Sequence, residues 1–409
     1  MPVTSICSAA ESRTESSPAS AATEPSWAPV RSSRSLVSRI LFCTWQYHPV
    51  PAGGAERQAR LQAEELVRRG HHVTVVCPTA PGARSGEING VSVLRLRRSR
   101  RRHLSSVTYF LNLGRYVLIH GRRFDVAHVH LANLQADVVV AVARLLGLPT
   151  HVKVANSGTY GETRRLERVA RITRWYGLRH ATSVQALSGE TRGELLRIGV
   201  SADRIVNIPN GVLLGAKRAP AVDRAAVRTA LGLPQKGGIV LYLGRFARYK
   251  GLDDLLDAWR AVGRNGWTLL LVGEDATDEP FGALPPLPGL VVQPWTTRPD
   301  TYLQAADIFV LPSHSEGMSN ALLEAMSTGV AIVASDAGAA SEMLEHGRSG
   351  YVHPTGDIDQ LAKLLDAVMG DDDLRDRLME GAQERAKSYG VPHVVDKLED
   401  VYRQIGRPG

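Results

Sequence analysis

From Arg39 onward the chain alternates short β-branched runs with stretches of helical periodicity, and it does so in two successive series. Such alternation marks strand–helix–strand units wound onto a mostly parallel sheet. In the first series Ile40–Thr44, His72–Cys77, Val91–Leu96, Asp125–His130, Thr150–Ala155, Ala181–Ala186 and Arg204–Ile208 read as strands. Ala55–Arg69, Asn133–Leu146 and Gly161–Tyr176 read as intervening helices. Pro209-Asn210-Gly211 then breaks the pattern with turn chemistry suited to a linker. The second series has strands at Ile239–Leu243, Thr268–Val272, Leu290–Gln293, Ile308–Leu311 and Ala331–Ala334, with helices at Leu252–Val262, Asp300–Ala305, Ser319–Ser327 and Ile358–Met369. A last helix near Val394–Ile405 follows Gly390 and Pro392 and is expected to pack back onto the first series. With 409 residues the chain exceeds what one core supports. The expected architecture is therefore α/β, with two Rossmann-like domains facing each other across a cleft. Residues 1–38 form a disordered N-terminal extension or a mis-assigned start, 39–212 the first domain, 213–388 the second and 389–409 the returning helix.

Composition restricts the setting. Residues 1–38 are rich in Ser, Ala, Glu and Pro and lack the apolar core of a signal peptide. No window approaches 18 consecutive apolar residues, so no membrane span is expected. Of the cysteines Cys7, Cys43 and Cys77, the last two lie in apolar strand-like runs, and no pair has metal-ligand spacing. Core thiols and a reducing, cytoplasmic compartment follow. Up to Leu214 the chain carries 29 Lys+Arg against 14 Asp+Glu, and beyond it 20 against 27. The first half is expected to meet something anionic.

Three segments carry chemistry. Gly53-Gly54, after the first strand and before a helix, lets backbone amides approach a phosphate at the positive helix end, although a plain tight turn explains many such pairs. In the second series the Val240–Leu243 strand runs into Gly244-Arg245-Phe246-Ala247-Arg248-Tyr249-Lys250-Gly251. This places Arg245 and Lys250 just past the C-terminal edge of a strand, where open α/β sheets bind ligands. Two fixed cations there neutralise a diphosphate without a metal; the competing reading is a solvated basic loop. The third segment runs from Pro312 to Met326, with Ser319 placed to cap a helix and amides from Gly317 through Met318 to Asn320 aimed at a phosphate. If the segment is helical throughout, Glu316 and Glu324 stand roughly 12 Å apart. That is too far for the acid and nucleophile of a retaining glycoside hydrolase, which need about 5–5.5 Å. Asp371-Asp372-Asp373 is the nearest acidic cluster and reads as a solvated loop, so no metal is expected.

These features together resemble the retaining family 4 glycosyltransferases of the GT-B fold, over roughly Ile40 to Ile405. The resemblance is carried by Gly53-Gly54 with Glu56, the Asp125–His130 strand end, Pro209-Asn210-Gly211-Val212, the Gly244-Arg245 and Lys250-Gly251 pairs, Glu316 and Glu324 with seven residues between them, and Gly338 with Glu342. It implies an N-terminal acceptor domain and a C-terminal donor domain. Arg245 and Lys250 would hold the donor diphosphate, Glu316 the sugar hydroxyls and Glu324 the ribose, with Gly53, Gly54, Gly317, Met318, Ser319 and Asn320 completing the donor site. His130 would contact the transferred sugar as a catalytic residue beside Arg245, Lys250 and Glu316. His128 is expected on the opposite side of its strand, in the core.

The implied reaction moves a hexose or amino-hexose from a nucleoside diphosphate sugar, preferably a UDP-sugar, to a hydroxyl of a glycan, lipid-linked or small-molecule acceptor. Anomeric configuration is retained, and the nucleotide sugar is a co-substrate, with no cofactor or metal. A GT-B sugar-nucleotide epimerase and a catalytically silent nucleotide-sugar-binding protein are the rival readings. The chain departs from the family at Ala155-Asn156-Ser157-Gly158, where many relatives have a His-Gly pair. It departs again at Gly338-Ala339-Ala340-Ser341-Glu342, which replaces Gly-Gly-x-Pro-Glu. The run Arg95–His103, with Arg97, Arg98, Arg100, Arg101 and Arg102, precedes apolar Val107–Leu111. It is expected either to meet an anionic membrane surface, peripherally at the inner face, or to be a solvated loop. Nucleic acid is not expected as a partner, because no recognition motif accompanies the charge.

Overall fold

The computed structural model describes residues 38–50, 53–99, 101–155, 175–215, 221–275 and 281–406. Its strands are β1 (Arg39–Cys43), β2 (His72–Pro78), β3 (Gly86–Ile88), β4 (Val91–Leu96), β5 (Val126–Val129), β6 (Thr150–Lys153), β7 (Ser183–Ala186), β8 (Ile205–Asn207), β9 (Gly238–Leu243), β10 (Trp267–Val272), β11 (Leu290–Gln293), β12 (Ile308–Leu311), β13 (Ala331–Ser335) and β14 (Tyr351–His353). They form two sheets, ordered β3-β4-β2-β1-β5-β6-β7-β8 and β11-β10-β9-β12-β13-β14. Every pairing is parallel except the β3–β4 edge hairpin. Parallel strands are covered on both faces, which is why their sequences are continuously apolar. Alternate residues serve opposite layers. Ile239, Leu241 and Leu243 of β9 enter one core while Val240 and Tyr242 enter the other, and in β1 Leu41 and Cys43 part from Ile40 and Phe42 in the same way. Cys43 and Cys77 are buried free thiols, with burial pushing Cys43 up to about 12.

The helices are α1 (Gly54–Arg68), α2 (Arg102–His120), α3 (Leu134–Leu145), α4 (Tyr176–His180), α5 (Gly189–Arg197), α6 (Ala221–Ala230), α7 (Leu252–Val262), α8 (Pro299–Ala305), α9 (Asn320–Thr328), α10 (Ala340–Met343), α11 (Ile358–Gly370), α12 (Asp372–Ala386) and α13 (Val391–Ile405). Side-chain caps start several of them: Asn133 accepts from Gln135 N, Ser188 from Thr191 N, Ser319 from Leu322 N and Asp357 from Gln360 N. Each satisfies an amide that the first turn leaves without a partner.

One sequence expectation is corrected. Asp371 to Asp373 is not a solvated loop: Asp371 caps α12 by accepting from Leu374 N, and Asp372 and Asp373 lie in the first turn, where carboxylates favour the helix dipole. The apolar stretch after the arginine run belongs to α2. That helix buries Tyr109, Leu113 and Val117 and leaves Leu104, Val107, Leu111 and Leu118 at 46, 53, 69 and 53% exposure. Arg95 leaves the basic patch altogether, because it is buried and donates to the carbonyls of Tyr47 and His48. The helix expected over Gly161–Tyr176 lies outside the described residues up to position 174, as do the extension up to residue 37, Asn156 to Gly158 and Arg100.

The chain crosses between the sheets twice, and the crossings touch. Val212, after β8, donates to Tyr389 O at 2.8 Å, and Val391 N donates to Val212 O at 3.0 Å. Past that point α13 returns to the first sheet. It buries Val394, Val395, Leu398, Val401 and Tyr402 among Ile40, Phe42, Ala59, Ala63 and Val73.

Candidate active site

The first turn of α1 meets the first turn of α9, so the leading edge of one sheet stands against that of the other. At Gly54 a Cβ would come within 2.5 Å of Asn320 Nδ2, so any other residue there would displace the Asn320 amide. Gly53, the residue before the helix, has ordinary extended geometry. One turn further on, Arg57 Nη1 lies 2.9 Å from Glu324 Oε1. Gln58 Nε2 donates to Asn320 Oδ1 (3.0 Å) and to Gly211 O (2.7 Å), while its Oε1 accepts from Gly211 N (2.7 Å).

On the second sheet, the turns after β9 and β12 converge. Lys250 Nζ lies 2.5 Å from Glu316 Oε1, which also accepts from Ser313 Oγ at 3.3 Å. Both side chains of the pair are largely withdrawn from solvent. Arg245 donates through Nη2 to the Tyr249 hydroxyl (2.7 Å), and the Tyr242 hydroxyl donates to Arg245 O (2.8 Å). The turn through Gly317 and Met318 is backed by Gly338, whose φ of +64° brings it so near that a Cβ would stand 2.5 Å from Glu316 O and Gly317 O. Ala339 N donates to Gly317 O. Despite the altered motif, Glu342 is held across the chain, its Oε1 accepting from Gly189 N at 2.7 Å at the start of α5.

The segment from Glu316 to Glu324 is not helical throughout. Ser319 ends a turn and caps α9, so only Glu324 is on the helix and the 12 Å estimate does not apply. Burial pushes Glu324 up to about 7 even though Arg57 pulls it down; Asp300 adds to the rise. Arg57 is open to water on its outer side, so its charge is screened while the desolvation of Glu324 is not.

His130 follows β5, its N–H donating to Cys43 O at 3.0 Å. Its ring is wholly buried, and neither ring nitrogen has a hydrogen-bond partner among the described residues. His128 is not on the opposite face: residues two apart in a strand share a face, and the two rings stack with centroids 4.0 Å apart. His128 Nδ1 meets the Tyr402 hydroxyl at 2.6 Å. Burial, with Lys153 and His151 nearby, holds His130 well below the usual imidazole range and therefore neutral. Lys153 is itself fully buried and donates to Asn210 Oδ1 at 2.7 Å.

The structure thus brings together Gly54 and Asn320, with Glu324 against Arg57, at the α1–α9 junction, and it separately pairs Lys250 with Glu316. Sequence reasoning passed over Arg57, Gln58 and Lys153. The first two were legible as the residues three and four beyond Gly54 on the same helical face; Lys153 looked like an ordinary strand residue.

Two family models match the chain: "Glycosyl transferase 4-like domain" over residues 53–211 and "Glycosyl transferases group 1" over residues 223–385. The phosphatidyl-myo-inositol mannosyltransferase of Mycolicibacterium smegmatis is 29% identical over 389 residues, covering 90% of this chain and 94% of that protein. The alpha-D-kanosaminyltransferase of Streptomyces kanamyceticus is 26% identical over 300 residues, covering 68% and 77%. Among solved structures, HepE of Anabaena in complex with UDP-glucose superposes with a TM-score of 0.73 at 19% identity, over 90% of this chain and all of that one. Two parallel-sheet α/β units, with these matches, define a glycosyltransferase of the GT-B fold. Within that class the chain belongs to the family 4 glycosyltransferases.

Proposed function

We propose that the protein transfers a hexose or amino-hexose from a UDP-sugar to a hydroxyl of a glycan, glycolipid or small-molecule acceptor, with retention of configuration. The observation that carries this reading is the Lys250–Glu316 pair, formed by the turns past the C-terminal ends of β9 and β12. In it, residues 39–212 form the acceptor domain, 213–388 the donor domain and 389–409 the helix that ties them. The named activities of the mannosyl- and kanosaminyltransferase relatives and the UDP-glucose complex of HepE support the substrate class.

In this reading Arg245 and Lys250 hold the donor diphosphate and stabilise the charge that builds as the sugar–oxygen bond breaks. Glu316, which Lys250 now engages, takes sugar hydroxyls, and Glu324 takes the ribose. The amides from Gly317 to Asn320 and the start of α1 at Gly53 and Gly54 complete the phosphate cradle. His130 faces the transferred sugar as a neutral hydrogen-bonding group. The acceptor attacks the face from which the diphosphate leaves, and a departing phosphate oxygen takes the acceptor proton. No covalent enzyme intermediate or metal is part of this route.

The reading extends to an anionic membrane surface at the inner face of the cytoplasmic membrane. Exposed Arg97, Arg98 and Arg101 lead into α2, whose outward Leu104, Val107 and Leu111 add apolar area beside the charge. Among the described residues no helix is long and apolar enough to cross a membrane.

A thermal-shift panel of UDP-, GDP- and ADP-sugars tests the donor. A ligand at 100 times its dissociation constant adds roughly 2.7 kcal/mol of stability, and UDP-sugars should give the largest shift. No shift with any nucleotide sugar contradicts the reading.

A further inference from the structure

Asn320 has an amide whose two ends differ only in being donor or acceptor, and its surroundings decide which end points where. The sequence of bonds begins at Lys153, whose ammonium can only donate. It donates to Asn210 Oδ1 at 2.7 Å, which obliges the Asn210 amide to turn its Nδ2 the other way. That Nδ2 donates to Met318 O and to Asn320 Oδ1, each at 3.1 Å. Gln58 is oriented independently: its Oε1 accepts from Gly211 N, so its Nε2 faces Gly211 O and Asn320 Oδ1. Two donors thus converge on Asn320 Oδ1. The Nδ2 end is left against Gly54 at the N-terminus of α1. Lys153, Asn210 and Gln58 are all buried, which keeps water from substituting for any link.

We propose that Lys153, Asn210 and Gln58 are positioning residues that fix the polarity of the Asn320 amide, so that its Nδ2 donates to a phosphate oxygen of the bound nucleotide at the α1 N-terminus. The inference rests on the donor reading above and names residues of the first sheet that orient a group of the second. Because Asn210 and Gly211 belong to the connection between the sheets, the same bonds set the donor turn in register with the acceptor side.

The test is UDP binding by titration calorimetry on the full chain, with melting temperature as the fold control. Asn210→Asp keeps the size and still accepts from Lys153, but it cannot donate. Asn320 Oδ1 then faces the new carboxylate on one side and Gln58 Nε2 on the other, so the amide is no longer held in one orientation and part of the molecules present Oδ1 to the phosphate. UDP should bind about tenfold or more weakly, the worth of one phosphate hydrogen bond lost. Lys153→Met removes one of the two groups, with Met318 O, that fix the Asn210 amide and should weaken UDP binding in the same direction by a smaller factor, giving a second route if Asn210→Asp does not fold. Asn320→Ala should lose about tenfold by itself, and adding Asn210→Asp to it should change little, because the effect passes through Asn320. A wild type that ignores UDP overturns the donor reading and this inference with it. If the wild type binds UDP, then unchanged affinity in a folded Asn210→Asp or Lys153→Met, or losses that simply add in the double variant, overturn the inference alone.

Discussion

Arg57 of the first sheet's leading helix and Glu324 of the second sheet's α9 form an ion pair of 2.9 Å across the line where the two sheets meet. The carboxyl is buried enough to be pushed up to about 7, so near neutral pH it sits between its two states. Its folded value lies above the usual 4.5. The protonated form is therefore favoured in the free protein below about 7, and ionisation completes as pH rises through that value. If a ribose hydroxyl donates to the carboxylate, UDP affinity should increase from pH 6 to pH 8. Arg57→Leu, which removes the cation that lowers the value, should move that rise to higher pH, and Glu324→Gln should flatten it. Titration calorimetry at a series of pH values measures this; a flat wild-type profile contradicts the role given to Glu324.

His130→Ala should leave UDP affinity near wild type and lower sugar transfer about a hundredfold, since a group that acts on the sugar contributes mainly in the transition state. Separate measurement of UDP binding and turnover distinguishes this from a structural role. An equal loss in both would show that the buried, stacked His128–His130 pair serves only to hold the core.

Replacing Arg97, Arg98, Arg100, Arg101 and Arg102 with serine should reduce sedimentation with phosphatidylglycerol liposomes at low salt while sparing transfer to a short water-soluble acceptor. Leu111→Ser should act in the same direction, because Leu111 is the most exposed of the outward α2 leucines. A wild type that stays in the supernatant at low salt removes the membrane from the account.

Leu398→Ala in α13 should destabilise the protein by about 2–5 kcal/mol, the usual range for a buried leucine truncated to alanine. A chemical denaturation curve reads this directly. Little change would mean that the returning helix is not part of the first sheet's core.

The two alternating series were legible because parallel strands buried on both faces are written as unbroken apolar runs. The Ser319 cap was legible because capping is local chemistry. Elements that rest on few apolar residues were not. The helix α12 buries only Leu378, Ala382 and Ala386, and its acidic start looked like a loop. The α2 helix carries apolar residues both inward and outward, which blurs its period. At the site, Arg245, Lys250 and Glu316 stood out by charge just past strand ends, and Glu324 as a carboxylate within the following helix. Lys153, Asn210 and Gln58 act through partners 57 to 262 positions away in the chain, a pairing that only the folded arrangement displays.

The central claim is that a nucleoside diphosphate leaves against the cations Arg245 and Lys250 with no metal. The most direct test is the rate of nucleoside diphosphate release, in EDTA, from the nucleotide sugar that most stabilises the protein. The wild type should keep its activity in EDTA. Arg245→Ala and Lys250→Ala should each fall about a hundredfold, the roughly 2.7–4 kcal/mol expected for one charge-stabilising contact in a water-poor site. Loss of activity in EDTA with recovery on adding Mg²⁺, or near-normal release by Arg245→Ala, would contradict the account.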